Sequence, residues 1–575
     1  MWFVDLNKIN CKNCYACVRN CPVNAIKIKD GKASIIKERC VVCGKCANVC
    51  HHTTKIMKSE KKLVKQFIKE KQKVIASVAP SFAAVYGENS NKIPTVLKKL
   101  GFAHIEETVV GVEPIMDVYS MYANKNDDNN YITSFCPSVT YLIQKHYPKV
   151  IENIIPVISP YICHARILKE KYGRDSKVVF IGPCLAKKEE ACGEDSIDAV
   201  LTFYELDRWI RGEGIDIESL EEECFDEAFE DRRLFPLVGG ATKVIKEQNP
   251  SRKIYYVNGI EECMQTLESI KNNKFKNVLF EMTLCNHSCI SGSGMPSDNR
   301  SYYERKENLQ NYVSKGCINT ECKNNDLSDY KVYNNLDLSV EKKFDNLHTT
   351  LNLPNEEEIT HILNSMGKYR KRDELDCGNC GYRTCREKAI AVYNGIAEIS
   401  MCIPFMKEKS ERLSNVIFDT TPNLIVIANE ELDIIDMNPS ARHFFGLRPG
   451  SEKNLPISMF IEDECIEQVR NNKINIIKQK TSIPYNKATV IQNILWLEES
   501  QVMVWIGDDV TKEEKIEKEY EDMKINAVDM AQKVINNQMV VAQEIASLLG
   551  ETTAKTKVTL THLKNLIENK EPHSN

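Results

Sequence analysis

Eight cysteines near the amino terminus are spaced like the ligands of iron–sulfur clusters. They form two C-x2-C-x2-C-x3-C runs, Cys11, Cys14, Cys17 and Cys21 followed by Cys40, Cys43, Cys46 and Cys50. Three closely spaced thiolates bind one cubane, while the fourth lies a helical turn away and reaches the other cubane. We therefore expect a first [4Fe–4S] cluster on Cys11, Cys14, Cys17 and Cys50, and a second on Cys40, Cys43, Cys46 and Cys21. Zinc is the alternative, but zinc sites usually draw short cysteine pairs from separated segments.

A third set of cysteines lies near residue 377, and its members are Cys377, Cys380, Cys385 and Cys402. The interval between Cys385 and Cys402 lacks proline, which predicts a helix that returns the last thiol to the first three. This segment resembles the small iron–sulfur domain of Rnf-type electron-transport subunits and of corrinoid acetyl-CoA pathway proteins. The resemblance implies a third [4Fe–4S] cluster, with zinc as the alternative. Residues 1–55 resemble a two-cluster bacterial ferredoxin, in which AIKIKDGKASII predicts a hairpin turning at Asp30-Gly31.

Four apolar runs between residues 56 and 300 alternate with helical stretches and predict parallel α/β structure. The runs are KVIASVAP, NYITSFCP, KVVFIGPC and NVLFEMTLC, and three of them end at Cys136, Cys184 and Cys285. Ligands of open parallel sheets gather at the carboxyl ends of the strands, so these thiols and Cys289 are candidates for a fourth cubane. Composition alone leaves a second interpretation, in which they are buried free thiols.

The same region resembles the catalytic domain of the [FeFe]-hydrogenase large subunit over about residues 73–296. The motifs that carry the resemblance are VAPSFAAVYG, TSFCPSV, SPYICHARILKEKYG, GPCLAKKEEA, DAVLTFYEL and EMTLCNHSCISGSG. It implies that the cubane of an H-cluster is held by Cys136, Cys184, Cys285 and Cys289. It also implies that Cys289 bridges to a diiron subsite and that Lys187 donates to a cyanide ligand of that subsite.

The departures from this family concern proton transfer. The family's first loop reads TSCCP, and its first cysteine is the last proton donor to the diiron site, whereas Phe135 stands at that position here. Phenylalanine carries no transferable proton, and rapid turnover needs general acid–base transfer at a positioned group. His287 and Cys163 are candidate substitutes near the cofactor, although a structural role is the simpler interpretation of both. The family's Met-Pro-Cys and Met-x-Cys motifs are also changed, at Gly182 and Thr283.

The carboxyl-terminal part has the pattern of a sensor module. Residues 411–511 predict an antiparallel sheet with short helices, and DMNPSARHFFG and DDVT resemble parts of a PAS domain. After it, positions at alternating steps of four and three form the seam of a coiled coil, namely Ile516, Tyr520, Met523, Ala527, Met530 and Val534. We expect Gly550 to end this helix and a second helix, KTKVTLTHLKNLIEN, to follow.

Composition narrows the remaining function classes. The chain has 575 residues, 23 of them cysteine, with 76 Lys+Arg against 81 Asp+Glu and a net charge of −5. No basic surface for nucleic acid, membrane span or signal peptide is evident, and so many cysteines at metal-ligand spacing suit the cytoplasm of an anaerobe.

Together these patterns predict a multidomain α/β and α+β protein. Its fold class combines a ferredoxin-like amino terminus, a hydrogenase-like parallel α/β domain, a small helical Fe–S domain, a PAS domain and a coiled coil. The expected boundaries are 1–55 ferredoxin domain, 56–300 H-cluster domain, 301–350 linker, 351–410 4Fe–4S domain, 411–511 PAS domain and 512–575 signalling tail.

Three functions remain open on the sequence. The first is a redox or hydrogen sensor of low activity that contains three or four [4Fe–4S] clusters, with or without the diiron subsite. The second is an active ferredoxin-linked [FeFe]-hydrogenase, and the third is a cubane-only electron carrier. Expected partners are electron-donor or electron-acceptor proteins and a second copy of the chain. Resemblance to the sensory group of hydrogenase-like proteins adds a PP2C- or SpoIIE-like serine phosphatase.

Overall fold

The computed structural model describes residues 4–6, 11–50, 55–229, 232–243, 245, 252–315, 339–461 and 464–568. The chain divides into two compact units, Met1–Met406 and Lys407–Asn575. The predicted linker therefore lies partly outside the described residues, which resume at residue 339.

The described strands and helices follow in chain order. The strands are β1 (Val4–Leu6), β2 (Ile26–Lys29), β3 (Lys32–Ile35), β4 (Lys55–Met57), β5 (Val74–Val78), β6 (His104–Glu107), β7 (Tyr131–Ile132), β8 (Lys177–Gly182), β9 (Ala199–Thr202), β10 (Lys253–Asn258), β11 (Val278–Thr283), β12 (Leu424–Ala428), β13 (Ile434–Met437), β14 (Ile476–Ile483), β15 (Ala488–Leu497) and β16 (Val502–Asp509). The helices are α1 (Ala16–Arg19), α2 (Lys45–Asn48), α3 (Lys61–Lys69), α4 (Ala83–Tyr86), α5 (Ile93–Leu100), α6 (Glu113–Asn124), α7 (Pro137–His146), α8 (Pro160–Tyr172), α9 (Ala186–Glu190), α10 (Phe203–Gly212), α11 (Ile260–Lys271), α12 (Tyr302–Lys315), α13 (Glu356–Ser365), α14 (Cys385–Tyr393), α15 (Ile403–Thr420), α16 (Pro439–Phe444), α17 (Glu464–Asn472) and α18 (Thr511–Glu568).

The amino-terminal domain contains the predicted hairpin. β2 pairs antiparallel with β3, and the turn residues Asp30 and Gly31 have φ angles of 52° and 67°. Two consecutive positive φ angles match the right-handed twist of the paired strands, so this turn fixes the register of the hairpin. The short helices α1 and α2 contact each other and lie within the two cysteine runs, where they contain Cys17 and Cys46, which gives the domain the arrangement of a two-cluster ferredoxin.

The central domain is built on parallel strands, as the apolar runs predict. They form two sheets, one of order β6-β5-β8-β9 and one of order β10-β11-β7. Every residue of β5 and β11 is buried, which is typical of parallel strands covered on both faces. The carboxyl ends of β8 and β11 lead into the segments that contain Cys184 and Cys285.

The segment predicted to be a linker contributes to the core of the central domain. Its helix α12 packs against α4, and Leu309 and Tyr312 on it are buried in the main apolar cluster. Residues 339–342 then run beside residues 156–158, where Ile158 N donates to Val340 O at 2.9 Å.

The second unit contains a five-stranded antiparallel sheet of order β13-β12-β16-β15-β14. Its core centres on the fully buried Trp505, whose indole N–H donates to Gln492 Oε1 at 2.7 Å. This sheet with its short helices is the predicted PAS arrangement.

One long helix, α18, follows the sheet and continues through Gly550 to Glu568. The predicted end at Gly550 is therefore wrong. A glycine inside a helix costs only about 1 kcal/mol, and the flanking segments are rich in good helix formers. Among the described residues, no helix has both the length and the apolar character required to cross a membrane.

Candidate metal centre

The structure brings together the four cysteines that the sequence assigns to the central site. Cys136 precedes α7, Cys184 follows β8, Cys285 follows β11, and Cys289 lies in the turn Ser288–Ser291. The four thiols are close enough that their charges act on one another. Burial raises the pKa of Cys289 to about 12, and the charges of Cys136 and Cys184 add to that effect.

The electrostatics of the four cysteines at the central site favour a bound cation. Burial, with the charge of Cys136, raises the pKa of Cys184 to about 11, and burial also raises the pKa of Cys285 well above its usual value. Thiols in this state are protonated at neutral pH, so binding of iron to them as thiolates releases protons and stabilises the folded site. The chemistry of four soft, converging sulfur donors fits a cubane.

A cavity of about 60 Å3 adjoins Cys289. Lys187 lines it with its ammonium group 4.0 Å from the centre of the Tyr161 ring. Ser81 also lines it, and its buried hydroxyl has no hydrogen-bond partner among the described residues. A thiolate, an ammonium group and an unsatisfied hydroxyl on an otherwise mostly apolar wall fit an inorganic group with small anionic ligands.

Phe135 forms part of the same wall. Its ring is 6% exposed and packs edge-to-face against Phe235, with centroids 5.3 Å apart, and against Tyr119, with centroids 6.5 Å apart. These aromatic contacts hold the ring in place. The wall at residue 135 consequently presents hydrocarbon to the cavity.

The two predicted substitutes for the proton donor do not line this cavity. His287 is exposed and stacks on Tyr302, with ring centroids 4.3 Å apart. Cys163 is fully buried in α8, and burial raises its pKa to about 12. Neither position gives the side chain direct access to the cavity.

One half of the crossed arrangement expected for the ferredoxin domain is seen at Cys21, which lies near Cys40 and Cys43 of the second run. Burial raises the pKa of Cys40 to about 12, and the charges of Cys43 and Cys21 contribute to that rise. Backbone N–H groups of Val42 and Ala25 donate to the sulfurs of Cys40 and Cys21 at 3.4 Å and 3.2 Å. Cys21 of the first run thus lies with cysteines of the second run.

The third set of cysteines also converges. Cys377, Cys380, Cys385 and Cys402 line one small pocket. The predicted helix is shorter than expected, since α14 ends at Tyr393 and a turn with Gly395 at φ 65° redirects the chain toward Cys402. Lys388, on α14, is buried beside this set, where burial lowers its pKa and the charges of Cys380 and Cys402 oppose that shift.

The third cluster domain packs on the part of the ferredoxin domain that contains Cys11 and Cys17. Ile28 N donates to Ile396 O at 3.0 Å across this contact. Gly381 has φ +90°, and a Cβ atom there would lie 2.9 Å from the Val18 side chain. Only glycine permits so close an approach, so the two domains fit tightly at this point.

The central domain contacts the ferredoxin domain near Cys40 and Cys43. The Lys145 ammonium group donates to the Cys40 carbonyl at 2.7 Å. Gly44 has φ +75°, and a Cβ atom there would lie 2.4 Å from Cβ of Ser293. The central domain therefore contacts the ferredoxin domain at members of the second set, whereas the third cluster domain packs beside members of both sets.

Sequence reasoning missed a group of buried polar residues beside the cavity, namely Ser77, Glu106, Thr108 and His164. Each of these polar residues interrupts an apolar stretch of the sequence, and this interruption was the signal that could have identified them. Their pairing was not predictable, because the three segments that contribute them are far apart in the chain.

No three His, Cys, Asp or Glu side chains of the described residues are arranged around a single metal-ion position.

Comparisons with known families agree with the domain order. Residues 72–293 match the iron only hydrogenase large subunit, C-terminal domain. Residues 10–54 match the 4Fe-4S dicluster domain, residues 373–404 a putative Fe-S cluster family, and residues 411–476 the PAS domain.

Two curated relatives cover parts of the chain. The NADP-reducing hydrogenase subunit HndD of Solidesulfovibrio fructosivorans is 27% identical over 222 residues, which are 32% of this chain and 38% of that protein. An uncharacterized ferredoxin of Methanocaldococcus jannaschii is 48% identical over 49 residues, 8% of this chain and 32% of the ferredoxin. The chain thus spans less than half the length of either relative.

Solved structures match in two regions. A variant of [FeFe]-hydrogenase HydA1 from Chlamydomonas reinhardtii aligns with 51% of this chain and 100% of its own, at 15% identity and a TM-score of 0.40. The PAS domain of nitrogen regulation protein NR(II) from Vibrio parahaemolyticus aligns with 17% of this chain and 97% of its own, at 13% identity and a TM-score of 0.15. The family matches and the hydrogenase relative together identify the chain as a hydrogenase-like iron–sulfur protein with a ferredoxin-type dicluster domain, a second Fe–S domain and a PAS domain.

Proposed function

We propose that the protein is a redox or hydrogen sensor in which a hydrogenase-type centre has given up rapid turnover. Iron–sulfur clusters on the ferredoxin and third cluster domains would exchange electrons with a central cubane on Cys136, Cys184, Cys285 and Cys289. A diiron group in the adjoining cavity would supply the chemistry with hydrogen, and Cys289, Lys187 and Ser81 would hold it. A cytoplasmic location belongs to the same proposal.

The observation that carries this proposal is Phe135 on the wall of the cavity. Its ring packs between the rings of Tyr119 and Phe235 and carries no transferable proton. General acid–base catalysis typically contributes about 10²- to 10⁴-fold to a rate. A sensor tolerates the loss of that factor, because it needs a change of state that biases a second element rather than a high flux.

The output would leave through the second unit. PAS domains and long helices relay states by contact, and α18 exposes a row of apolar side chains. The proposed recipients are a second copy of the chain and a serine phosphatase of the PP2C or SpoIIE type. The phosphatase is suggested by resemblance to sensory hydrogenase-like proteins.

Infrared spectroscopy of anaerobically matured protein tests the central site. We expect carbonyl and cyanide bands, with hydrogen evolution from a reduced carrier below about 1 s⁻¹, the low end of typical enzyme rates. The Cys289→Ala variant should lose the bands, because the bridging sulfur is gone, whereas a Cys263→Ala control should retain them. Rapid hydrogen evolution by the wild-type protein would instead support an active hydrogenase.

One observation favours a second candidate function, a cubane-only electron carrier. Of the described residues that line the cavity, Cys289 is the one that supplies a sulfur. A diiron group would thus rest on one cysteine, whereas the central cubane has four, so the cubane can bind without the diiron group. Iron at the four cubane sets without any carbonyl or cyanide bands would establish this candidate in place of the sensor.

Dimerisation through α18 gives a separate prediction. Ile516, Tyr520, Met523, Met530 and Val534 lie on one seam and are each at least half exposed. Met530→Lys should weaken self-association at least about 100-fold, because an unpaired charge would be buried at the seam. Sedimentation should then show the 65.7 kDa monomer at concentrations where the wild-type protein is a dimer.

The matched control for this test is Gln532→Lys, which adds the same charge to α18 away from the seam. A wild-type protein that sediments as a monomer would contradict the prediction. Equal weakening by both substitutions would also contradict it, because the effect would then come from charge alone.

A further inference from the structure

A chain of buried hydrogen bonds begins at the wall of the cavity. Thr108 lines the cavity, and its hydroxyl lies 2.8 Å from the hydroxyl of Ser77. The Ser77 hydroxyl in turn lies 2.8 Å from Nδ1 of His164. Ser77 and His164 are fully buried, and Thr108 is 6% exposed. Each of these groups is able both to donate and to accept a proton.

The chain continues to the surface of the central domain. Nε2 of His164 lies 3.1 Å from Oε2 of Glu106, which is fully buried. The other carboxylate oxygen of Glu106 accepts hydrogen bonds from the Tyr172 hydroxyl at 2.6 Å and from the Lys171 ammonium group at 2.7 Å. The Lys171 side chain is 30% exposed and also pairs with Glu227. Solvent therefore reaches the outer end of the chain.

A buried carboxylate faces His164 within this chain. Burial alone would raise the pKa of the Glu106 carboxyl, but the bond from His164 and the charge of Lys171 outweigh burial and lower it to about 2. Glu106 thus remains an anion beside Nε2 of His164. Lys171 and Tyr172 are the other titratable groups that adjoin Glu106, and Glu227 adjoins Lys171.

We propose that Thr108, Ser77, His164 and Glu106 form a proton route between the cavity and the surface, in which the Glu106 carboxylate passes protons from Lys171 to Nε2 of His164. The route rests on the proposed function, because it requires a base bound in the cavity. It would take the place of the thiol that Phe135 replaces, by way of a different wall of the same cavity.

The transfer balances as three coupled hops without movement of electrons. An imidazolium at His164 gives its Nδ1 proton to the Ser77 oxygen, the Ser77 proton passes to the Thr108 oxygen, and the Thr108 proton passes to the base in the cavity. Three N–H or O–H bonds break and three form, and His164 is left neutral with its proton on Nε2. The ring is recharged when its remaining proton moves to Nδ1, Nε2 takes a proton from Glu106, and Glu106 takes one from Lys171, which solvent protonates again. The tautomer change occurs in a buried ring, so the route suits slow proton transfer rather than rapid turnover.

Alternatively, the same groups form a hydrogen-bonded part of the core without transporting protons. Two substitutions at Thr108 separate these interpretations. Thr108→Val keeps the shape and removes the hydroxyl, whereas Thr108→Ser keeps the hydroxyl. In matured protein, we expect Thr108→Val to lower the rate of hydrogen–deuterium exchange at least tenfold, and Thr108→Ser to stay within about threefold of the wild type.

A second readout does not depend on turnover. The carbonyl and cyanide infrared bands of the wild-type protein should shift with pH in a one-proton step, and His164→Gln should abolish that step. Thr108→Val should keep the step, since it slows proton transfer without removing the titrating group. Glu107→Gln is the matched control, because Glu107 is equally buried but pairs with Arg233 and Tyr312 outside the chain.

The outcomes distinguish the route from the proposed function. Absence of infrared bands in the wild-type protein would overturn both. Two outcomes would overturn the route alone, provided that the wild-type protein shows the infrared bands. In the first, Thr108→Val exchanges hydrogen for deuterium at the wild-type rate. In the second, the infrared bands of His164→Gln still shift with pH in the one-proton step. Slower exchange in Glu107→Gln equal to that in Thr108→Val would also overturn the route, since the loss would then reflect general damage to the core.

Discussion

Replacement of Phe135 by cysteine is expected to raise the rate of hydrogen–deuterium exchange of the matured protein by about 100-fold. The substitution places a thiol on the cavity wall, where the buried Phe135 ring now offers only hydrocarbon. The gain should approach the lower end of the range for general acid–base catalysis, because the rest of the family's relay is not restored. The measurement is mass-spectrometric exchange under hydrogen and deuterated water at fixed cofactor content.

The matched control is Phe135→Ala, which opens similar space without adding a proton donor. Equal gains in both variants would show that the ring limits the reaction by its bulk. No gain in either would move the explanation to other loop differences, such as Gly182 and Thr283. Combination of Phe135→Cys with Thr108→Val adds a further test, since a restored thiol should make the exchange rate insensitive to the loss of the Thr108 hydroxyl.

The parts of the fold that local chemistry determines were predictable from the sequence. The Asp30-Gly31 turn requires two positive φ angles, and the structure has them. The buried apolar runs of β5 and β11 indicated parallel strands, since both faces of such strands are covered. The crossed grouping of Cys21 with Cys40 and Cys43 followed from ligand spacing alone.

The arrangement of the strands was not predictable in the same way. The apolar runs do not specify that the strands separate into two sheets, because strand neighbours are chosen by contacts between distant segments. Gly550 likewise wrongly predicted the end of α18. A glycine destabilises a helix by about 1 kcal/mol, and the good helix formers around Gly550 outweigh that cost.

The hydrogen-bonded chain at the cavity shows the same limit within the site. Ser77 stands in an apolar strand, His164 in a mostly buried helix, and Glu106 at the end of another strand. Taken singly, each of these residues looks like an isolated polar residue in the core. Only the packing of α8 against β5 and the segment after β6 brings their polar atoms within hydrogen-bond distance.

The positions of the cysteine sets suggest an order for electron transfer that the sequence left open. The third cluster domain contacts the ferredoxin domain beside Cys11 and Cys17 of the first set and Cys21 and Cys46 of the second. The central domain contacts it beside Cys40 and Cys43. We therefore propose that electrons pass from the third cluster to the ferredoxin-type pair, and from the second cluster of that pair to the central site. A protein donor would meet the third cluster domain, where Cys377 is exposed.

Removal of the third cluster tests this order. We expect Cys377→Ala to lower the iron content by about four atoms per chain and to slow reduction of the central site by a reduced ferredoxin at least tenfold. Reduction by dithionite, a small molecule that reaches several clusters, should change little. Cys192→Ala, which removes an exposed thiol outside the predicted ligand sets, is the control. If Cys377→Ala loses the iron but reduced ferredoxin still reduces the central site at the wild-type rate, the donor meets the dicluster domain directly. The third cluster would then be a side branch that responds to the redox state and would not belong to the path to the central site.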